Sequence, residues 1–491
     1  MNKKMVFYML GKIVQLEAAL MVPSLICACL YKENRIVLSF AVTIAIALIM
    51  GFVLSALGKT KNKEIYAKEG FVIVALAWIG MSAVGAVPFV ISGEIPSFLD
   101  AFFETVSGFT TTGSSILTDI EAMSKGLLFW RSFTHWVGGM GVLVLVMAIL
   151  PSESGRTIHI IRAEMPGPVI GKLVPKVKST SRILYLIYIF LSAVQVIFLL
   201  CGNMSLFDSL VHTFGTAGTG GFGVRADSIG GYSPYIQWVI TIFMLIFGVN
   251  FNIYYFILAK KFKSVLKSEE LLVYISIIVV SSGVIAIDIF NNIAEMNVLS
   301  DSIRHATFQA ASIVTTTGYV TVDYNLWPGL SKTIITILLF IGACAGSTAG
   351  GFKVSRVIMI FKSIKANLKH SLHSRSVEVV RVEGKSLDSE TVSSVKSYLA
   401  IYIFCFVIIL ALISFNGYDV ETNFTAAATC FNNVGPGLGM IGPAGSFQEF
   451  SNFSKLVLSA AMLLGRLEIY PMLLLFSPSV WIKRKAKVKA K

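Results

Sequence analysis

The chain consists mainly of apolar stretches that are long enough to cross a lipid bilayer as helices. A membrane-spanning helix needs about 20 apolar residues, and lipid tolerates only backbone whose N–H and C=O groups are already paired. Such stretches occupy residues 7–30, 36–57, 71–92, 127–150, 182–201, 234–258, 270–290, 331–350, 397–415 and 453–481. Only 14% of the 491 residues are charged, whereas soluble domains carry about 25%. The sequence therefore predicts an all-α polytopic membrane protein and excludes both a conventional soluble enzyme and a disordered chain.

Four shorter segments lie between the last eight long stretches, one inside each successive pair. They cover residues 98–113, 205–221, 301–318 and 421–435, and each ends at a glycine: Gly113, Gly221, Gly318 or Gly435. Small or polar residues recur two, three and six positions before each of these glycines. This pattern indicates a repeat of roughly 100 residues. We expect a two-helix hairpin over residues 1–69, followed by four pseudo-repeated helix–pore-helix–helix units over 70–181, 182–268, 269–393 and 394–491.

The short segments predict a cation site. A helix that stops inside the membrane leaves its last carbonyl groups unpaired, and these groups carry about half a negative charge. Such backbone is tolerated only where it lines a polar cavity, and four such ends around one axis would hold a cation on carbonyl oxygens. A single Thr-Thr-Thr-Gly segment would be better explained as an outer loop. Four equivalent segments, each between two spans, favour a central pore.

Lysine and arginine residues cluster on every second connection between the long stretches. Under the positive-inside rule these connections are cytoplasmic, so both termini are predicted in the cytoplasm and the short segments enter from the outer face. Lys32 and Arg35, on the first outer connection, are exceptions. The net charge of +14 follows from this arrangement. No basic stripe with interleaved aromatic residues is present, so nucleic-acid binding is not predicted.

Specific segments then identify a family. The stretches 105–115 (TVSGFTTTGSS), 216–223 (TAGTGGFG), 309–319 (QAASIVTTTGY) and 431–439 (FNNVGPGLG) resemble the four pore loops of the Trk/Ktr/HKT potassium-transporter superfamily. Residues 341–356 (IGACAGSTAGGFKVSR) and 464–468 (LGRLE) resemble the TrkH/TrkG-type membrane subunit. The resemblance implies potassium uptake across a bacterial inner membrane, a homodimer, and a cytoplasmic ring of TrkA-type subunits that bind nucleotide. The transported ion would be K⁺, with no organic cofactor in this chain.

The same resemblance assigns a potassium-binding filter. Its residues here are Thr111, Thr112, Gly113, Gly220, Gly221, Thr316, Thr317, Gly318, Asn433, Val434 and Gly435. In the family, glycine at all four anchor positions accompanies preference for potassium over sodium, and all four are glycine here. The second and fourth loops depart from Thr-Thr-Gly, which predicts a cage without fourfold symmetry.

A gate is predicted below the filter. Its residues are Gly342, Gly346, Gly350, Gly351, Lys353 and Arg466. Each glycine costs a helix about 1 kcal/mol, so four within ten residues predict an unwound segment, which the resemblance identifies as an intramembrane gating loop. The alternative is a helix-packing face of the GxxxG kind. Arg466 is interpreted either as a positive charge reaching the ion path or as a buried partner of Glu468.

Other functions stay open or are disfavoured. An ion-coupled secondary transporter also uses broken helices near the bilayer midplane, so sodium- or proton-coupled potassium transport is the alternative to a channel. A membrane-embedded enzyme is disfavoured because the six histidines are dispersed and form no catalytic motif. The cytoplasmic stretches 151–181 and 362–396 are the predicted docking surface for a regulatory partner.

Overall fold

The computed structural model describes residues 1–60, 66–141, 177–373 and 379–481. These residues are mostly helical, and within them the only strands are a short hairpin of β1 (Arg381–Val382) and β2 (Lys385–Ser386). The first helices are α1 (Lys3–Leu20), α2 (Val22–Leu30), α3 (Asn34–Leu57), α4 (Ala67–Ser92), α5 (Phe98–Phe109), α6 (Lys125–Gly139), α7 (Val177–Cys201), α8 (Leu206–Gly218), α9 (Pro234–Phe247) and α10 (Phe251–Leu258). They are followed by α11 (Phe262–Leu266), α12 (Glu269–Asn292), α13 (Leu299–Val314), α14 (Gly329–Leu338), α15 (Val354–Leu372), α16 (Ser389–Ile413), α17 (Val420–Asn432), α18 (Asn452–Arg466), α19 (Tyr470–Leu475) and α20 (Pro478–Trp481).

Six of the described helical stretches are long and apolar enough to cross a membrane. Most of these stretches turn large apolar side chains outward, for example Phe52 on α3 and Val280 on α12, which are both more than 60% exposed. Exposed apolar surface of this extent is what lipid contact requires. The prediction of an all-α, multi-pass membrane protein is confirmed.

The second long helix of each predicted unit, here called the inner helix, differs from the prediction. The sequence predicts continuous spans at 127–150, 234–258 and 453–481, with a break only in 331–350. In the structure all four inner helices end early: α6 at Gly139, α9 at Phe247, α14 at Leu338 and α18 at Arg466. The chain after α9 bends by 89° into α10. Residues 142–150 lie outside the described part of the chain.

Glycine and polar residues explain these breaks. Gly248 and Asn250 separate α9 from α10, and the Asn250 side chain accepts a hydrogen bond from the N–H of Asn252 to begin the new helix. After α18 the helix is interrupted at Glu468 and Ile469, both with positive φ. An apolar run by itself gives no sign of such a break, because the run reports burial in lipid and not helical continuity.

The four short segments form the half-helices α5, α8, α13 and α17, as predicted. Three begin with a side chain that accepts a backbone N–H hydrogen bond: Ser97, Ser205 and Asp419. Asp100 and Asp208 lie in the first turns of α5 and α8, and in each case the serine three residues earlier is the N-cap. This is the usual arrangement for Ser and Asp at a positive helix start.

Packing between the half-helices and inner helices is cyclic. Each half-helix packs against the helix that precedes it in the chain, α4, α7, α12 or α16. In addition, α8 packs against α6, α13 against α9, and α5 against α18. The first and last units are therefore neighbours in space although they are far apart in sequence.

Candidate ion pore

The chain following the four half-helices has the same backbone conformation each time. The residue two positions before the terminal glycine is left-handed, with φ of 55° at Thr111, 57° at Thr219, 56° at Thr316 and 56° at Asn433. The glycines themselves have φ of 84°, 82°, 80° and 102°. Residues with a side chain adopt a positive φ less readily than glycine, so the three threonines and Asn433 bear a cost in strain that the glycines avoid.

The four glycines, here called the glycine ring, close on one another. A Cβ atom on Gly113 would lie 2.1 Å from the carbonyl oxygen of Gly220. On Gly221 it would lie 2.2 Å from the Thr317 oxygen, and on Gly318 it would lie 2.1 Å from the Val434 oxygen. On Gly435 it would lie 2.7 Å from the Thr112 oxygen, which completes the cycle. The sequence-predicted filter residues of all four units are therefore brought together, and one backbone carbonyl of each unit lies against the glycine of the preceding unit.

A second level of carbonyl groups is oriented by hydrogen bonds behind the ring. The N–H of the residue before each glycine donates back into its own half-helix, to the carbonyl oxygens of Ser107, Gly215, Ser312 and Thr429 at 2.8–2.9 Å. In a trans peptide the C=O points opposite to the N–H. The carbonyl groups of Thr111, Thr219, Thr316 and Asn433 therefore point away from the helix ends.

Two side-chain oxygen atoms at this level have no hydrogen-bond partner in the structure. They are Thr111 Oγ1 and Asn433 Oδ1, both fully buried. The amide nitrogen of Asn433 donates to Thr112 Oγ1 at 2.9 Å and to the Met462 carbonyl oxygen at 2.9 Å. Buried oxygen atoms of this kind are usually satisfied by a polar ligand. An alkali cation with its remaining water fits these oxygens and the carbonyl groups around them. Within the described residues, no group of three or more His, Cys, Asp or Glu side chains forms an alternative metal site.

A buried ion pair supports the outer side of the ring. Arg131 Nε donates to Glu104 Oε1 at 2.6 Å, and both side chains are almost completely buried. Arg131 also donates to the Gly223 carbonyl oxygen at 3.3 Å, and Glu104 accepts from the Ile116 N–H at 2.9 Å. The pair thus joins the extended segments that follow Gly113 and Gly221. The sequence pattern indicated no role for Glu104 or Arg131.

Tyr319 connects the second and third units and was also missed from the sequence. Its hydroxyl lies 3.1 Å from the Phe222 carbonyl oxygen and 3.2 Å from that of His212. His212 in turn contacts the hydroxyl group of Tyr232 at 3.2 Å. The only signal in the sequence is the position of Tyr319 directly after Gly318, which reveals nothing about its partners in another unit.

On the inner side of the ring lies an irregular segment, residues 339–353, here called the glycine loop. The Gly342 N–H donates to the Phe352 carbonyl oxygen at 2.8 Å and closes its base. Gly346 and Gly351 have φ of 73° and 68°. The unwound segment is as predicted, and the alternative of a continuous helix-packing face is wrong. The loop reaches the ring directly, because the Gly350 N–H donates to Thr316 Oγ1 at 2.7 Å.

The two predicted cationic gate residues both contact carbonyl groups. Lys353 Nζ donates to the carbonyl oxygens of Ala349 and Gly350 within the loop. Arg466 donates to the Thr348 oxygen at 2.8 Å, and to the Gly138 and Gly139 oxygens at 2.7 and 2.8 Å. Arg466 therefore joins the loop to the carbonyl end of α6, which is a favourable place for a cation. The Glu468 carboxylate forms an ion pair with Arg356.

The bend between α9 and α10 holds the other side of the loop. The Cys344 N–H donates to the Gly248 carbonyl oxygen at 3.1 Å, and the Phe251 N–H donates to the Gly346 carbonyl oxygen at 3.0 Å. Backbone groups released by one broken helix thus pair with those of another. The sequence signal was Gly248 and Asn250 inside an apolar run, which the prediction of one continuous span overlooked.

Known proteins share this sequence and architecture. The model of the TrkH family, described as a cation transport protein, matches residues 36–484. The Trk system potassium uptake protein TrkH of Escherichia coli (strain K12) is 33% identical over 478 residues, which cover 96% of this chain and 97% of that protein. The Trk system potassium uptake protein TrkG of the same strain is 34% identical over 486 residues, or 97% of this chain and 98% of that protein.

A solved structure agrees with the fold. The crystal structure of the potassium transporter TrkH from Vibrio parahaemolyticus superposes with a TM-score of 0.88 at 31% sequence identity. The match covers 98% of this chain and 100% of the crystallised chain. Sequence and fold agree over nearly the whole length, and the chain belongs to the TrkH family of cation transport proteins.

Proposed function

We propose that this chain takes up potassium across a bacterial inner membrane through a filter formed by the glycine ring. The observation that carries the proposal is the closed cycle of four glycines and four carbonyl groups, one from each unit. Backbone carbonyl oxygens replace the water shell of K⁺ in selective pores. The names of its relatives, potassium uptake proteins, agree with this cargo. In this proposal both termini are cytoplasmic and the glycine ring opens to the outer side.

The filter would bind K⁺ at two levels. One level is formed by the carbonyl groups of Thr112, Gly220, Thr317 and Val434, and the other by those of Thr111, Thr219, Thr316 and Asn433. The negative ends of four half-helices add a field that favours a cation. Asn433 stands where the other three loops have a threonine, and Gly220 and Val434 stand where the first and third loops have a second threonine. Side-chain oxygens therefore differ around the ring while the backbone repeats.

The glycine loop is the proposed gate. It contacts Thr316 at the base of the ring and is held by Lys353 and Arg466. A cation near the inner mouth of a pore opposes occupancy by K⁺. Flux would therefore require the loop, and with it Arg466, to move. The gate would be controlled by a nucleotide-binding, TrkA-type cytoplasmic subunit acting on a homodimer, docked on the basic stretch 362–396. Most of the other predicted docking stretch, 151–181, lies outside the described residues.

The decisive experiment measures ⁸⁶Rb⁺ uptake into proteoliposomes that contain the purified chain, with K⁺ or Na⁺ as competitor. Potassium should compete far better than sodium. Gly113→Ser should remove most of this preference, because the new Cβ would meet the Gly220 oxygen and the left-handed backbone would be strained. Strain of this kind costs about 1–3 kcal/mol, or roughly tenfold in a binding constant.

Gly80→Ser is the matched control. A Cβ atom at Gly80 would meet nothing within 4 Å, so this variant should keep the parent's preference. The proposal fails if the parent shows no uptake, or if Gly113→Ser and Gly80→Ser discriminate equally well between the two ions.

Ion-coupled transport is the second candidate, since broken helices at mid-depth, such as α9 and α10, also occur in secondary transporters. Electrical recording separates the two. A channel carries current in symmetrical potassium without any sodium or proton gradient, whereas a coupled transporter needs the gradient.

A further inference from the structure

The start of α12 carries a buried carboxylate group that contacts the glycine loop. Glu270 Oε1 accepts hydrogen bonds from the Ala345 N–H at 2.7 Å and from the Ser355 N–H at 3.2 Å. Glu270 is only 9% exposed. A single oxygen atom thus holds the middle of the loop and the first turn of α15, which begins where the loop ends.

These contacts are strong ones for physical reasons. The first N–H groups of a helix have no partner inside it, and an anion near them is stabilised by the helix dipole. Glu270 supplies that anion to α15 from a different helix. Because Ala345 and Ser355 are ten residues apart in sequence, sharing one acceptor fixes the distance between them, and the loop cannot extend without losing one bond.

The other side of Glu270 leads to the cytoplasmic surface. Its own N–H donates to Glu383 Oε1 at 3.1 Å, and Ser268 Oγ donates to the same atom at 3.1 Å. Glu383 lies in the turn between β1 and β2. Lys362 of α15 donates to the Arg381 carbonyl oxygen at 2.8 Å. The hairpin, the start of α12 and α15 are therefore connected, and Glu270 joins this junction to the loop.

We propose that Glu270 is a positioning residue of the gate: it holds the glycine loop beneath the glycine ring and transmits displacement of the β1–β2 hairpin to it. The inference rests on the proposed function, in which the loop is the gate. It adds Glu270 as the residue that must lose its hydrogen bonds before the glycine loop can move, and the β1–β2 hairpin as the surface element where that movement starts. Weakening the contacts of the Glu270 carboxylate should open the ion path without altering the filter.

The first test compares ⁸⁶Rb⁺ uptake by proteoliposomes containing the full chain or its variants. Glu270→Ala should raise uptake by about fivefold or more, the scale expected for losing a charge-assisted hydrogen bond. The ratio of potassium to sodium competition should be unchanged. Glu270→Gln, which keeps an oxygen acceptor, should restore most of the parent's low uptake.

Glu121→Ala is the matched control, since Glu121 is an exposed carboxylate in the connection between α5 and α6, away from α12, α15 and the hairpin in the chain. It should leave uptake unchanged. Equal uptake by Glu270→Ala and Glu121→Ala overturns the inference, as does a loss of potassium preference in Glu270→Ala.

A second test does not depend on transport. Cys344 lies in the loop and is fully buried, so it reports loop release in a chain whose other five cysteines are replaced by serine. Glu270→Ala should increase the rate at which a water-soluble maleimide labels Cys344, while Glu121→Ala should not. An unchanged labelling rate overturns the inference that Glu270 holds the glycine loop. A parent that carries no rubidium refutes the proposed function, while the labelling still decides whether Glu270 holds the loop.

Discussion

The backbone conformation of the glycine ring repeats from unit to unit, whereas the region below it, where the inner helices end, differs between units. In the ring, four segments with different sequences adopt one conformation, with φ between 55° and 57° at the residue two positions before each glycine. Below it, the four inner helices all end, and the three whose continuation the structure describes differ from one another. The second turns by 89°, the third opens into the glycine loop, and the fourth continues through Glu468 and Ile469, both with positive φ, into α19.

This contrast teaches where the fold needs symmetry. In the proposed filter, four backbones of equivalent conformation place four carbonyl groups around one ion. A change in the conformation of one backbone would therefore alter the coordination of that ion. The inner region has no such requirement, and asymmetry there allows the units to pair with one another. Cys344 of the third unit with Gly248 of the second is one example, and Arg466 of the fourth with Gly138 of the first is another.

The largest effect is expected from breaking the scaffold of the ring. Arg131→Leu leaves Glu104 buried without its cation, and removing one partner of a buried pair costs about 3–5 kcal/mol. The free energy of unfolding in detergent should fall by this amount. Arg304→Leu removes a pair with Asp301, whose side chain is 42% exposed, and should cost at most about 1 kcal/mol. Similar losses in the two variants would show that the ring does not depend on this pair.

A smaller effect, confined to the inner region, is expected from Arg466→Ala. The loop loses its bond at Thr348, and the cationic charge disappears from the proposed path, so ⁸⁶Rb⁺ uptake should rise severalfold with potassium preference retained. Arg466→Lys keeps the charge but loses the contact with three carbonyl groups, so its uptake should lie between that of the parent and that of Arg466→Ala. Unchanged uptake together with reduced protein yield would instead assign Arg466 a purely structural role.

The smallest effect on uptake is expected at the contact between the glycine ring and the glycine loop. Thr316→Val removes the acceptor for the Gly350 N–H, a hydrogen bond worth about 0.5–1.5 kcal/mol. Uptake should increase modestly, and Thr316→Ser, which keeps the hydroxyl group, should match the parent. If valine and serine behave alike, the ring and the loop are not coupled through this contact.

The sequence predicted the repeated part of the molecule well. Gly113, Gly221, Gly318 and Gly435 could be aligned because each ends a short segment between two spans, and the structure places all four in one ring. The half-helices could be predicted from their length between two spans. The continuous inner helices could not, because apolar periodicity does not distinguish a span from two shorter helices that exchange hydrogen bonds with another unit.

By itself, then, the sequence determined which segments lie in lipid, which four end inside it, and that their ends carry glycine, since these properties are set by local backbone geometry and by transfer of apolar side chains from water. Only the tertiary structure decided which polar groups meet. Arg131 with Glu104, Tyr319 with Phe222, and Glu270 with Ala345 and Ser355 are contacts between segments far apart in the chain. A polar group buried away from water is stable only when it has a hydrogen-bond or ionic partner, and the packing of the helices decides which partner lies within reach.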